Sequence, residues 1–409
     1  MALISGKTIL IVAPYGFNDR MKNFIEYVSA RLLAKNGWQV IALVKSDSHL
    51  NVTEFLDGIR VYRYKNFLFS IVYLLDIFYK FHPSVVHFHN LRNNRPGVVA
   101  AIFAKIVGAK LFFTEYGLLH DHFLVDDRDN PLPAKLKQPG VVKDLKSVIR
   151  FGGTGEIIKN YFFHWPMTHA DKIIFVSKHN LPIAQTLGFN NAIYLPQVID
   201  DFSWNYSAQD INSQFENHHK NIMEKFNGFK DKKYAVFVGQ IKYRKGWDVL
   251  LRAINFVAED AIDYFIFISP SYFEEPKIFS DLVGELGISK RVIFLGKIAD
   301  RGLLKQIYDY SQIIIVPSRY EGFGLVVTEA FDVKKPLIAS DVEAINETVV
   351  DHQNGLLFPK EDFRRLGEAI VSLTNNDELK KKLVDGGQET LKKFKSEITK
   401  NQWLDFYNS

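Results

Sequence analysis

Residues 313–331 read IIIVPSRYEGFGLVVTEAF. Four consecutive β-branched residues fit a strand buried on both faces, which has no polar side to alternate with. Pro317 and Ser318 end that run, and Gly322-Phe323-Gly324 supplies a turn with little side-chain bulk before a helix. A second apolar run, 337–340, follows. Strand, loop, helix, strand is the repeating unit of a parallel α/β sheet. The loop holds Glu321 just before the glycines, and Glu329 stands eight positions on. Eight helical residues rise about 12 Å and return to nearly the same face. Carboxylates so far apart cannot share a proton. They suit two sets of hydroxyls on either side of a diphosphate resting on a helix N-terminus. A solvated glutamate at a helix start is the plainer alternative for each.

The same rhythm continues upstream. Apolar runs at 234–238, 264–268 and 292–295 alternate with helical segments, and the loop 239–246, GQIKYRKG, follows the first of them. A loop after a strand, with Lys245-Gly246 opening a helix, has the chemistry of a diphosphate cradle. Residues 201–232 interrupt the series with Asn, Asp, Gln, Ser and Lys. Before them lies another alternating series: strands at 8–13, 39–44, 84–88, 110–113, 172–176 and 192–195, with helices at 21–36 and from Pro96 to Gly108. The fold class is therefore α/β, two Rossmann-like doubly wound domains facing a cleft. The expected boundaries are 1–200, a linker region 201–232, a second domain 233–390, and a C-terminal helix at 391–409 packing back on the first domain. Ligands of such sheets sit beyond the carboxyl ends of the strands.

Composition narrows the classes. Of 409 residues, 47% are hydrophobic and 24% charged, an ordinary globular balance. No cysteine is present, which excludes disulfides, thiolate catalysis and zinc–thiolate sites. The chain holds 51 Lys+Arg and 46 Asp+Glu; the first 200 residues carry 23 and 15, leaving 28 and 31 for the rest. The first half is thus at +8 and the second at −3, so the first half suits an anionic partner such as a membrane surface. The most hydrophobic stretch, 67–78, is too short to cross a bilayer, which takes about 20 apolar residues. With no leader-like start, the expected location is the cytoplasm, at the inner face of the cytoplasmic membrane.

The segment 317–331 resembles the signature of the family-4 retaining glycosyltransferases, whose fold is GT-B: Glu, seven residues, Glu, with Gly-Phe-Gly after the first. FVGQIKYRKGWDVLLRAI (237–254) is similar to that family's phosphate-binding strand–loop–helix. VIFLGKI (292–298) is similar to its base-side loop, and LIASDVEAINETVVDHQNGLLF (337–358) to the segment closing the donor site. The resemblance implies sugar transfer from a nucleotide-diphosphate-sugar donor to a glycan or lipid-linked acceptor, with retention, no cofactor and no obligatory metal. It implies donor contacts by Gly16, Gly239, Gln240, Lys245, Gly296, Lys297, Glu321, Gly322, Phe323, Gly324, Leu325 and Glu329. Glu321 would hold the transferred sugar, Glu329 the ribose, and Lys245 the leaving diphosphate. Gln240 departs from the family's usual Arg, so a cation is missing unless Lys242 or Arg244 supplies it. A nucleotide-sugar epimerase on the same fold is the alternative. A Rossmann dehydrogenase lacks its Gly-x-Gly-x-x-Gly after the first strand, and nucleic acid finds no recognised motif.

The first half resembles the family more loosely. FFTEYGLLHD (112–121) is similar to a strand end that carries the family's sugar-facing His; here Tyr116 stands at that position, and His120 or His122 just after it either takes over the catalytic work or is a surface residue. His87 and His89 alternate on a strand and read as satisfied structural residues. The Asp-x-Asp pattern in 125–129, VDDRD, has the chemistry of a metal–diphosphate contact but lies in a polar stretch, so metal: none is the expectation. The basic and then aromatic run 133–167 suits acceptor docking as well as an ordinary helix pair.

Overall fold

The structure, a computed structural model, describes residues 7–13, 17, 24–46, 52–90, 95–116, 165–186, 188–199, 202, 204, 213–395 and 397–409. The chain divides into two compact units, Met1–Asp201 with Phe394–Ser409, and Phe202–Lys393.

In the first unit the described elements run β1 (Thr8–Ala13), α1 (Ile25–Lys35), β2 (Gln39–Lys45), β3 (Val52–Leu56), β4 (Ile59–Tyr64), α2 (Phe67–Phe81), β5 (Val85–His89), α3 (Arg95–Val107), β6 (Lys110–Glu115), β7 (Lys172–Phe175), α4 (Asn180–Thr186) and β8 (Ala192–Tyr194). The sheet order is β3-β4-β2-β1-β5-β6-β7-β8. All pairs are parallel except β3 with β4, a hairpin closed at Asp57 and Gly58, both at positive φ. Side chains alternate across each strand. Leu10, Val12, Ile41, Leu43, Val86 and Phe88 therefore join one core, while Ile9, Ile11, Val40, Ala42 and Val85 join another on the opposite face.

The second unit runs α5 (Ser213–Phe229), β9 (Tyr234–Val238), α6 (Trp247–Ala253), β10 (Tyr264–Ile268), α7 (Lys277–Glu285), β11 (Val292–Gly296), α8 (Arg301–Tyr310), β12 (Ile313–Val316), α9 (Leu325–Asp332), β13 (Leu337–Asp341), α10 (Glu343–Asn346), β14 (Leu356–Pro359), α11 (Phe363–Thr374) and α12 (Asp377–Lys395). Its six strands lie in the order β11-β10-β9-β12-β13-β14, every described pair parallel. β9 and β12 are buried along nearly their whole length, which is why they read as unbroken apolar runs. The polar tract after residue 200 contains the 17-residue helix α5, whose Phe226 and Phe229 are buried. The chain then ends in α13 (Glu397–Asn408), which completes the first unit. The terminal helical stretch, read as one amphipathic segment, is α12 and α13.

From β9 the chain moves outward through β10 and β11, then returns to the other side of β9 to form β12. Strand order reverses between β9 and β12, and the loops leaving their carboxyl ends are 239–246 and 317–324. Such a reversal point is where open α/β sheets leave room for a ligand.

Candidate functional site

The two loops at this reversal point are built against each other. Gly246 has φ +64°, and a Cβ there would stand 1.8 Å from the Pro317 carbonyl oxygen, so no other residue fits. Alongside, the Arg319 amide donates to the Arg244 carbonyl at 2.7 Å. Arg319 itself is buried. Its guanidinium donates to both carboxylate oxygens of Asp248 at 2.7 Å and to Glu361 at 2.7 Å, and lies 3.9 Å above the Tyr243 ring. Burial works against the Arg319 charge, but Asp248 and Glu361 outweigh it and hold its pKa above the usual arginine range. This buried bidentate clamp ties the start of α6 to the loop that carries Glu321.

Glu321 is 6% exposed. The Lys245 ammonium and the Ser318 hydroxyl, the latter at 2.8 Å, both donate to its Oε1, while Arg244 stands 3.6 Å from Oε2. Burial alone would raise the pKa of this carboxyl. Lys245, Arg244 and Ser318 together overcome burial and hold it below the usual glutamate value. Two residues assigned to different parts of a donor thus form one ion pair, from positions 76 apart in sequence. A lysine ammonium has three donors, so pairing with Glu321 is compatible with a second anionic contact.

The two glutamates do not share one helix. Glu321 is not helical: Gly324, at φ +84°, is the N-cap of α9, and the helix begins at Leu325. The helical rise between positions 321 and 329 therefore does not apply. Gly322 and Gly324 are buried, and Phe323 is half-buried between them.

Glu329, on α9, is 7% exposed and gripped from a different direction. Both terminal nitrogens of Arg301 donate to its Oε1, at 3.0 and 3.1 Å, and the Tyr308 hydroxyl donates to Oε2 at 3.0 Å. Arg301 also lies 4.3 Å over the Trp204 ring, whose indole N–H donates to Asp332 at 2.7 Å. Burial and the Glu329 charge push the Tyr308 phenol well above its ordinary value, so it remains a donor. Arg301, Tyr308 and Trp204 were not singled out from sequence. One signal was there: Arg301 opens α8, where a cation opposes the helix dipole and points to a tertiary partner.

The remaining expected residues lie on the same sheet. Gly239 leaves β9 with its amide bonded to the Ile268 carbonyl at 3.0 Å, and the Gln240 carbonyl accepts from the Lys242 amide at 2.8 Å. Gly296 ends β11 at φ +71°, where a Cβ would stand 2.4 Å from the Phe273 carbonyl oxygen; Lys297 follows with its ammonium 5.4 Å from the Phe273 ring centroid. Gly16, His120, His122, the 125–129 pattern and most of the 133–167 run lie outside the described residues.

In the first unit, Tyr116 follows β6. Its hydroxyl donates to Glu26 of α1 at 3.0 Å and shares a 2.5 Å hydrogen bond with His89 Nδ1. His87 lies between Tyr407 at 2.5 Å and Thr114 at 2.7 Å, both ring nitrogens bonded, as a structural residue would be. Burial lowers His87 well below the usual histidine range and His89 to about 3, so both rings are neutral at neutral pH. Among the described residues no group of three or more His, Cys, Asp or Glu is arranged to hold a metal ion.

Comparison with known proteins agrees with this geometry. Residues 219–390, which span β9 to β14 and the loops just described, match the family model Glycosyl transferases group 1. An uncharacterized glycosyltransferase of Methanocaldococcus jannaschii is 28% identical over 307 residues, covering 73% of this chain and 77% of the relative. The sucrose-phosphate synthase of Thermosynechococcus elongatus superposes with a TM-score of 0.72 over 98% of both chains at 18% identity. The Anabaena protein HepE, solved in complex with UDP and glucose, gives 0.66 over 98% of this chain and 99% of its own at 16% identity. The likeness in structure shows the fold, GT-B. With the family match it defines the class: the enzyme is a glycosyltransferase.

Proposed function

We propose that this chain transfers a sugar from a nucleoside-diphosphate-sugar donor to a glycan or lipid-linked acceptor, with retention of configuration and without an obligatory metal, in the assembly of a glycan. The observation that carries the reading is the pair of buried glutamates beside the sheet's reversal point, each accepting hydrogen bonds from its own cation. Lys245 and the N-terminal amides of α9 receive the donor diphosphate, Glu321 accepts from hydroxyls of the transferred sugar, and Glu329 from the ribose. Gly296 and Lys297 take the base side. Arg244, beside Glu321, supplies the cation that Gln240 does not. As the glycosidic bond to the diphosphate breaks, negative charge grows on the leaving oxygens, and cations fixed in advance stabilise it without reorganising. The UDP and glucose held by HepE, a protein of the same fold, support a nucleotide-sugar donor. The acceptor belongs to the first unit, whose positive balance suits an anionic surface.

A panel of nucleoside diphosphates and their sugars, scored by the rise in melting temperature, tests the donor assignment. Saturating ligand at about 100 times its Kd adds roughly 2.7 kcal/mol to stability. The expected result is protection by one base series, lost in Lys245→Ala. Uniform absence of protection overturns the assignment. Conversion of the sugar without any acceptor identifies an epimerase instead.

A further inference from the structure

Helix α2 is apolar on two opposite sides. Its inner side, with Ser70, Leu74 and Ile77 buried, packs over the sheet beside β4. Its outer side carries Leu68, Val72, Leu75 and Tyr79, which are 68%, 52%, 56% and 81% exposed. Spacings of four, three and four place these residues in one stripe along the helix. Phe67 and Phe69 widen the stripe at its start, and Phe55 of the edge strand β3 is 67% exposed as well. A helix on a water-soluble surface normally turns charge outward, and one that is hydrophobic all round normally has a second partner.

Cations frame this surface and rest on its rings. Lys65 lies 5.2 Å over the Phe69 ring, and Arg60 lies 4.3 Å over Phe55 and 5.4 Å over Phe81. Lys80 closes the far end, paired with Asp76 at 2.7 Å. Asp76 is the one acid within α2. Basic side chains beside exposed aromatic and aliphatic ones are the composition of a helix lying in a lipid interface. The helix has 15 residues, and among the described residues no helix is long and apolar enough to cross a membrane. A second copy of the chain fits poorly. One end of the stripe carries Lys65 and the other the Lys80–Asp76 pair, so a second copy offers it no net opposite charge.

We infer that α2 is a membrane-docking helix, lying flat on an anionic lipid surface with Leu68, Val72, Leu75 and Tyr79 among the acyl chains and Arg60, Lys65 and Lys80 at the head groups. The inference builds on the anionic-surface reading of the first unit and is tested apart from sugar transfer.

The experiment is sedimentation of the full chain with phosphatidylcholine vesicles, with and without phosphatidylglycerol, in the absence of nucleotide sugar and acceptor. Wild type binds the anionic vesicles, and binding falls as salt rises. Leu68→Ser with Leu75→Ser, both at exposed positions, weakens partitioning by about ten-fold or more while melting unchanged. Lys65→Glu weakens binding at low salt and makes it less dependent on salt. No binding by wild type at low salt overturns the inference, as does undiminished binding by the double serine variant. A wild-type dimer in solution that the double variant dissolves overturns it too, and makes the face a contact between copies. Each result stands whether or not the donor assignment survives.

Discussion

The two sheets share the order of their central strands and differ in what their reversal points hold. In the second unit the described side chains there are charged and paired: Lys245 with Glu321, Arg301 with Glu329, Arg319 with Asp248. In the first unit the described side chains near the matching reversal, between β1 and β5, form a buried hydrogen-bonded chain of Glu26, Tyr116 and His89, with His87 beside it. His87 and His89 are neutral, Tyr116 is pushed well above its usual range, and burial raises Glu26. A parallel sheet creates the place for a ligand but not its chemistry. Fixed cations and carboxylates suit a diphosphate flanked by hydroxyls. A buried hydrogen-bonded chain holds a helix to strand ends.

The sharpest way to break this contrast is Lys245→Ala. Losing one fixed stabiliser of developing charge costs about 10²–10³ in rate, roughly 2.7–4 kcal/mol. Turnover by Lys245→Ala within ten-fold of wild type breaks the assignment. The same site predicts a pH effect. Glu321 is held low in the folded state, so the stability its ion pair confers is present above the ordinary glutamate pKa and is lost as pH falls through the lowered value. In Lys245→Met burial remains and the main opposing charge is gone. The acid limb of kcat/KM therefore moves to higher pH, and a profile that moves down or stays fixed rejects the pairing as functional.

A smaller effect belongs to Glu329. Tyr308→Phe removes one buried donor, and leaving the carboxylate short of a partner costs about 1–3 kcal/mol. Calorimetry with the nucleoside diphosphate should show affinity reduced five- to a hundred-fold, with Arg301→Met at or beyond that range. Unchanged affinity in both variants would detach Glu329 from the ribose. The smallest effect on binding is expected in the first unit. Tyr116→Phe takes a hydroxyl from between Glu26 and His89 and costs about 1–3 kcal/mol of stability, read by denaturant unfolding. Nucleotide affinity should remain within two-fold, and a larger loss would mean that this hydrogen-bonded chain also serves the donor.

The second sheet was largely legible because parallel strands buried on both faces print as unbroken apolar runs; 313–316 is the plainest case. The hairpin β3–β4 was not read, although its signal was in the sequence. Asp57-Gly58 sits between two alternating runs, and both residues adopt the positive φ that a two-residue hairpin turn requires. The edge position leaves β3 half polar, which hid it. At the site, Glu321, Lys245 and Glu329 were legible because glycines and a strand end mark their loops. The Arg301–Glu329 contact was not, since it joins residues 28 apart on different helices, and no local pattern encodes such a pair. The outer stripe of α2 was noticed only as hydrophobicity; its exposure follows from the packing.

The last helix bears on how the first unit is made. Trp403 is fully buried in that unit and donates to the Pro196 carbonyl across 207 residues, and Tyr407 meets His87 across 320. A ribosome adding about 5–20 residues per second reaches Trp403 roughly 10–40 s after Pro196. For that interval the first sheet has emerged with one face of its core still lacking Trp403 and Tyr407, while the whole of the second unit is still being synthesised. The second unit closes on residues that are contiguous in sequence, so it can finish first although it is made later. Biosynthetic order therefore need not be the order in which the two cores are completed.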